Sequence, residues 1–323
     1  MNFRSKNLLV TGGAGFIGSN FIDFILKKYK NVRIFNLDSL TYAGALNKTE
    51  KFSSNSNYKF FKGDICNQTL LNKIFKEFQI DGVINFAAET HVDNSITNPM
   101  PFIKSNINGV FSLLNVCYNN WMKSPFKYNE NFLQARFHQI STDEVYGSIS
   151  EGSFCENSLY SPNSPYSASK ASADMIVRSF NKTYGLNVTT SISSNNYGPN
   201  QHKEKLIPKI INSIKNDDYI NIYGDGKNIR DWIHVYDNCN AICSIFNESE
   251  SGGKFNVASG QETTNLELIL KFKKIYSDKP KIRFISDRFG HDFRYSIDTS
   301  LIKNKLGFKT TFDIENYIKE LNI

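Results

Sequence analysis

The chain has 323 residues, 40% hydrophobic and 21% charged, so it can bury a sizeable core; a disordered chain, a collagen-like repeat and a charge-rich tail protein are excluded. At roughly 100–200 residues per domain, the length suggests about two domains. Lys+Arg 38 against Asp+Glu 31 leaves +7, spread without a run of five basic residues, which argues against a nucleic-acid surface and suits a small anionic substrate.

The first half alternates strands and helices. Residues 7–10 are an apolar strand, and 16–29 carry helical apolar spacing through Phe16, Ile17, Phe21, Phe24 and Ile25. Strands follow at 32–37, 58–61, 83–86, 136–140 and 188–192, with helices at 69–78, 102–119 and 166–184 between them. This alternation predicts an α/β fold, a doubly wound parallel sheet of Rossmann type. After about Asn196 the strands shorten and turns such as Tyr-Gly-Asp-Gly (223–226) appear. The expected division is 1–195 for a dinucleotide-binding domain and 196–323 for a smaller nucleotide-sugar-binding domain, with a soft boundary and some segments interleaved between the two. Residues 55–57 and 128–131 read as surface loops.

No 18-residue apolar run and no apolar leader segment occurs, so the expectation is a cytoplasmic protein without a membrane span. Five cysteines without framework spacing read as reduced thiols. Cys239 and Cys243, four apart near His234, read as small core residues, because no second ligand pair completes a metal site.

Thr11-Gly-Gly-Ala-Gly-Phe-Ile-Gly18 lies between the first strand and the first helix. Gly12 allows the tight turn, Gly15 lets backbone approach a pyrophosphate, and Gly18 lets helix pack on strand; the helix N-terminus then faces the phosphates. Asp38 ends the second strand, where a carboxylate accepts from adenosine ribose hydroxyls and repels a 2′-phosphate, so NAD is expected rather than NADP. Asp64-Ile65 and Ala87-Ala88 follow the third and fourth strands, at the edge where open α/β sheets bind ligands.

Tyr166 and Lys170 are four apart on one helix face. A free phenol, with a pKa of roughly 10, is a poor base, and a lysine with a positive nicotinamide would favour its phenolate. Ser141-Thr142-Asp143-Glu144 discriminates further, because it follows a hydroxyl with two adjacent carboxylates at the cofactor edge. Carboxyls whose proton affinities are pushed apart can serve as acid and base in one elimination. The competing interpretation of this segment is a surface turn with two solvated acids.

These residues resemble the extended short-chain dehydrogenase/reductase family and, within it, the nucleotide-sugar 4,6-dehydratases. The matching stretches are TGGAGFIGSNF (11–21), LDSLTYAGAL (37–46), FKGDI (61–65), NFAAETHVDNSI (85–96), STDEVYG (141–147) and SPYSASKASAD (164–174). NNYGPNQ, EKLIP, YGDGKNIRDWIHVYDN and DRFGHDFRYSID continue the match, which covers nearly the whole chain.

The resemblance implies that the 4-hydroxyl of the sugar is oxidised with NAD while Tyr166, supported by Lys170, takes its proton. Glu144 would then remove the C5 hydrogen, Asp143 would protonate the departing C6 hydroxyl, and Thr142 would hold the C4 oxygen. By position, Phe16, Ile17, Asp38, Ser39, Leu40, Thr41, Asp64, Ile65, Ala87, Ala88, Ser105, Tyr166, Lys170 and Asn196 would touch NAD, with Gly12, Gly15 and Gly18. Thr90, Thr142, Asn195, Lys205, Leu206, Asn221, Tyr223, Arg230, Asn265, Arg288 and His291 would line the nucleotide-sugar site. No metal is implied. Two departures bear on the base: Asn200 stands where an aromatic is usual in thymidine-specific bacterial members, and Phe289 replaces a usual proline. Asn200 resembles UDP-glucose-specific domains of plant rhamnose synthases, so the expectation leans to UDP-glucose over dTDP-glucose, and the resemblance implies an early step of rhamnose or other deoxysugar synthesis. Helices 102–119 and 166–184 are expected to pair in a homodimer through a four-helix bundle. A sugar 4-epimerase or decarboxylase of the same fold, or a non-catalytic NAD-binding scaffold, are the alternatives. An epimerase has no need of Asp143 and Glu144, and a scaffold predicts loss of the reactive groups.

Overall fold

The computed structural model describes residues 3–42 and 44–321, which leaves Ala43, inside the 37–46 motif, outside the described residues. Seven parallel strands form the central sheet, in the spatial order Gly253–Val257, Val188–Ser193, Arg136–Thr142, Gly82–Asn85, Asn7–Thr11, Arg33–Asp38 and Tyr58–Lys62. In chain order that is 7-6-5-4-1-2-3, so the order reverses between the first strand and the fourth. A crevice opens there at the strands' carboxyl ends.

Both sheet faces are covered, so the inner strands are buried along most of their length: Asn7–Thr11 and Gly82–Asn85 are mostly apolar, whereas Arg136–Thr142 and Val188–Ser193 bury His138, Gln139, Thr189 and Ser191 as well. On one face the helices Gln68–Phe78, Val110–Trp121 and Pro165–Tyr184 bury Leu71, Phe75, Leu113, Trp121 and Val177 against Leu9, Val83 and Phe137. On the other, Phe16–Lys28 and Val235–Glu248 bury Phe21, Ile25, Ile242 and Phe246 against Leu8, Val10 and Ile84. Cys239 and Cys243 are packed in this second layer, as small core residues are.

The helix Pro165–Tyr184 is sharply delimited. Ser164 and Ser167 form a reciprocal capping box, Pro165 occupies the first turn, and Gly185 closes the end at φ 70. This fixes where Tyr166, in the first turn, meets the sheet edge.

Two features depart from the sequence reading, and a third gives the interleaving of the two units its detail. The helix expected over 102–119 is not one α-helix: Ile103–Gly109 is a π-helical stretch, which turns Lys104 and Ser105 toward the crevice. Its apolar spacing is compatible with either winding, so the sequence pattern does not separate them. Within 128–131, Tyr128 is not loop but pairs in a short ribbon, Met122–Ser124 with Lys127–Tyr128. Finally, Val235–Glu248 and Gly253–Val257 rejoin the sheet domain across the 195/196 division. Buried Arg136 ties them in, donating to Phe246 O and Ser249 O at 2.7 Å each.

The remaining C-terminal segments build a smaller unit. Tyr219–Tyr223 pairs with Lys281–Ile285, and Ile229–His234 pairs with both Asn195–Tyr197 and Glu262–Thr264. Its own core gathers Ile210, Ile222, Trp232, Leu268 and Phe272.

Candidate active site

A cavity of about 430 Å³ lies at the carboxyl edge of the sheet, where the strand order reverses. Gly12, Gly15, Phe16, Ile17 and Gly18 form one wall. Gly12 has φ +69, and a Cβ there would lie 2.6 Å from Ala87 N; a Cβ on Gly18 would meet Gly12 O at 2.4 Å. No side chain caps the helix that begins at Phe16, so its first-turn N–H groups and its positive end are left for a ligand's phosphates. The bared backbone and open helix end fit a dinucleotide diphosphate.

Asp38, Ser39 and Thr41 continue this wall. The Asp38 carboxylate is 8% exposed and already accepts from Ala14 N at 2.9 Å and Leu40 N at 2.7 Å. It therefore closes the glycine loop, a role the sequence reading missed, and keeps lone pairs for a further donor. Burial raises its proton affinity, against those two hydrogen bonds. Leu40 itself, at φ 57, shapes the turn and is not part of the cavity wall.

Asp64, Ile65, Ala87, Ala88, Thr90 and Ser105 line the middle of the cavity. Asn106 holds this part in place. Its side chain accepts from Glu89 N at 2.9 Å and donates to Glu89 O at 3.0 Å and Ser169 Oγ at 2.8 Å, pinning the loop after the fourth strand to the helix of Tyr166.

Thr142, Asp143, Glu144, Tyr166 and Lys170 converge on the opposite wall, with Asn195, Asn196 and Lys205. Thr142 ends its strand, and Asp143–Tyr146 turns away as a single 3-10 turn. The two carboxyls differ in surroundings. Asp143 is 3% exposed, its Oδ2 has no hydrogen-bond partner, and burial with the adjacent Glu144 charge holds it well above the usual carboxylate range. Glu144 is half-buried and also raised by burial, but Lys205, Arg230 and Arg288 all pull it back toward ionisation. Two adjacent carboxyls whose surroundings push their proton affinities apart are the pairing an elimination needs.

Lys170 is buried and donates to Ile140 O at 2.6 Å; burial lowers its ammonium to about 8, opposed by Asp174. For Tyr166 the shift runs opposite to the one the Tyr/Lys spacing predicts. Burial, then the Glu144 charge, holds its phenol well above the ordinary value, and the Thr142 hydroxyl only partly offsets this. The reason is that the sheet edge buries the ring next to acids which sequence spacing does not place.

The other expected substrate residues are not in the cavity wall. Arg230 is buried, donates to Ile229 O, Phe293 O and Asp292 O, and stacks 4.1 Å from the Tyr295 ring centroid. Three of the guanidinium's five donors are thereby committed to backbone. Tyr223, Arg288 and His291 form a separate cluster: Asp93 accepts from Tyr223 OH and Arg288 Nη1, each at 3.3 Å, and the His291 ring lies edge-on to Tyr223. Asn221 shares the strand of Tyr223, Leu206 begins its own helix, and Asn265 opens another, donating its N–H to Asn228 O. The sequence reading also passed over Glu204, within 4 Å of both His91 and His202, and Ser193 and Ser194 in the wall. The strand-end rule that singled out Ala87 would have found the two serines. Among the described residues, no group of three or more His, Cys, Asp or Glu is placed to hold a metal ion, and no helix is long and apolar enough to cross a membrane.

A family model described as GDP-mannose 4,6 dehydratase matches residues 9–321. A dTDP-glucose 4,6-dehydratase of Xanthomonas campestris pv. campestris is 43% identical over 321 residues, 96% of this chain and 90% of its own. Among solved structures, DesIV, a dTDP-glucose 4,6-dehydratase from Streptomyces venezuelae with NAD bound, superposes with a TM-score of 0.90 at 37% identity, covering 97% of this chain and 94% of its own. A UDP-glucose 4-epimerase from Thermotoga maritima shares the fold at TM-score 0.86 and 27% identity, over 97% and 96% of the two chains.

Proposed function

Because this chain belongs to the GDP-mannose 4,6 dehydratase family, nucleotide-sugar 4,6-dehydratases of the extended short-chain dehydrogenase/reductase class, we propose that it is an NAD-dependent hydro-lyase converting dTDP-glucose to dTDP-4-keto-6-deoxyglucose. The observation that carries this reading is the Thr142-Asp143-Glu144 turn, which brings two carboxyls of unequal proton affinity to the cavity wall beside Tyr166. A 4-epimerase has no use for that pair. When bound, NAD supplies the hydride acceptor at C4, the donor at C6, and a positive charge beside Tyr166. Gly12, Gly15 and the first turn at Phe16 would hold its diphosphate, and Asp38 its adenosine ribose.

The chain's own groups move the protons. Thr142 Oγ1 orients the C4 oxygen, and Tyr166 takes the C4 hydroxyl proton, with the Lys170 ammonium lowering the cost of the phenolate. Glu144 removes the C5 proton, made acidic by the C4 ketone. Asp143 gives its proton to the C6 hydroxyl, which departs as water, and C5 is reprotonated after C6 is reduced. Burial of the acids beside the cavity strengthens each of these interactions relative to water.

The thymidine nucleotide rests on the named relatives. The uridine preference that Asn200 suggested has no comparable support: Asn200 sits at φ 68, a left-handed position that favours asparagine for backbone reasons, and it is not in the cavity wall. The test is incubation with dTDP-glucose, UDP-glucose and GDP-mannose, following loss of one water by mass spectrometry. Fastest dehydration of dTDP-glucose supports the reading. Preference for UDP-glucose overturns the base, and epimerisation without water loss overturns the reaction.

A homodimer forms part of the proposal. Met100, Ile103 and Phe111 leave apolar surface exposed along one helical stretch, and Met175, at 49%, does so on the helix of Tyr166. Light scattering is expected to read about twice 36.9 kDa, and Phe111→Glu to shift the mass toward the monomer. A wild-type monomer would rule this out.

A further inference from the structure

We infer that Asp174 is a positioning residue that clamps the sheet edge to the catalytic helix and supplies the negative charge opposing Lys170. The inference rests on the roles proposed above for Tyr166 and Lys170. Tyr166, Lys170 and Asp174 are spaced i, i+4, i+8 on the helix Pro165–Tyr184, so they lie along one face. Two consecutive residues of the facing strand answer the last two. Lys170 Nζ donates to Ile140 O at 2.6 Å, and Ser141 Oγ donates to Asp174 Oδ2 at 2.5 Å. The next residue of the strand is Thr142. This two-point grip sets the rotation and height of the helix against the strand, and with them the position of the Tyr166 hydroxyl relative to Thr142 Oγ1.

Asp174 is 6% exposed, and its Oδ1 has no hydrogen-bond partner. A carboxylate buried with half its capacity unspent is costly unless a charge nearby compensates it. The groups facing it are Lys170 on its own helix, Ser141 on the strand, Tyr160, whose hydroxyl donates at 3.2 Å, and Tyr146 of the 3-10 turn. Lys254 approaches from the strand Gly253–Val257, its ammonium 4.9 Å from the Tyr160 ring centroid. Lys170 is held by the Ile140 carbonyl and opposed in charge by Asp174. Tyr166 faces Thr142, Glu144, Asp143 and Tyr42. Among these partners Asp174 supplies the negative charge that keeps buried Lys170 protonated, and the ammonium in turn is what favours the Tyr166 phenolate.

Asp174→Asn tests this, since its amide keeps an oxygen for Ser141 and Tyr160 and removes the charge. Lys170 then discharges at lower pH, and its charge no longer favours the Tyr166 phenolate. The rising limb of kcat against pH for dTDP-glucose is expected to move up by about one unit, with kcat at pH 7 falling about tenfold. Independently of turnover, NMR titration of 15N-labelled lysine side chains, with Lys170→Met assigning the signal, should show Lys170 titrating below its wild-type value. Asp174→Glu, which keeps the charge, should restore the pH limb while kcat stays reduced. An unchanged pH limb and an unchanged Lys170 titration in Asp174→Asn would overturn the assignment. If that variant does not fold, Asp174→Ser decides, since it removes the charge and keeps a hydroxyl for Ser141: Lys170 should again titrate below its wild-type value, and an unchanged titration overturns the assignment. Failure of the wild type to dehydrate dTDP-glucose would instead count against the proposed function, and the NMR arm would still judge Asp174.

Discussion

Glu144→Gln stops dehydration: turnover of dTDP-glucose is expected to fall by about 10²–10⁴-fold, the range associated with loss of a positioned general base. The amide matches the carboxylate in size and can still face Lys205, Arg230 and Arg288, the cations that pull Glu144 toward ionisation in the wild type. It cannot take the C5 proton. Exchange of the C5 hydrogen with solvent deuterium should therefore vanish along with water loss. Asp143→Asn should give the complementary pattern, because burial and its neighbour's charge raise the proton affinity of Asp143, and its proposed step follows loss of the C5 proton. There C5 exchange persists while water loss slows by a comparable factor. The measurement is product analysis in deuterated buffer by mass spectrometry and NMR. Full dehydration in either variant removes that residue's assigned role, and identical patterns in both would mean that the two carboxyls do not divide the work.

Gly12→Ala is expected to abolish cofactor retention and to lower thermal stability, for a reason set by backbone alone. At φ +69 a left-handed conformation costs an L-residue about 1–2 kcal/mol. In addition the new Cβ would lie 2.6 Å from Ala87 N and 2.7 Å from Ala87 Cα, and neither backbone atom belongs to a flexible side chain that can swing away. Relief requires the first and fourth strands' exit loops to separate at the point where the crevice opens. NAD affinity should fall at least about tenfold, since an ångström-scale displacement of a diphosphate cradle forfeits its aligned N–H donors. Gly152 provides the control. It shares a positive φ of +71, but nothing lies within 4 Å of its added Cβ, so Gly152→Ala should cost only the conformational strain and leave NAD affinity unchanged. Calorimetric titration with NAD and thermal melts of both variants check this. Equal NAD affinity in Gly12→Ala and wild type would refute the cradle.

What can be read from this sequence is what lies close along the chain. The glycine loop with Asp38 spans one strand–helix–strand unit, Tyr166 and Lys170 share one helical turn, and Thr142, Asp143 and Glu144 are consecutive. Their types and spacing therefore determine their relative placement once strand and helix form, and the alternation of apolar runs determines the doubly wound sheet. The tertiary structure decided whatever depends on which distant segments the sheet order brings together. Asp38 closing the glycine loop through Ala14, Asp93 joined to Tyr223 and Arg288, and Ser141 gripped by Asp174 are contacts between separate elements. The same holds for Arg136, which binds the end of a helix more than 100 positions later and carries part of the C-terminal half back into the first domain. Direction of proton affinity was decided at this level too. Spacing puts Lys170 one helical turn from Tyr166, but burial beside Glu144 and Asp143 is a property of the packed edge, and that burial sets the direction in which the phenol shifts.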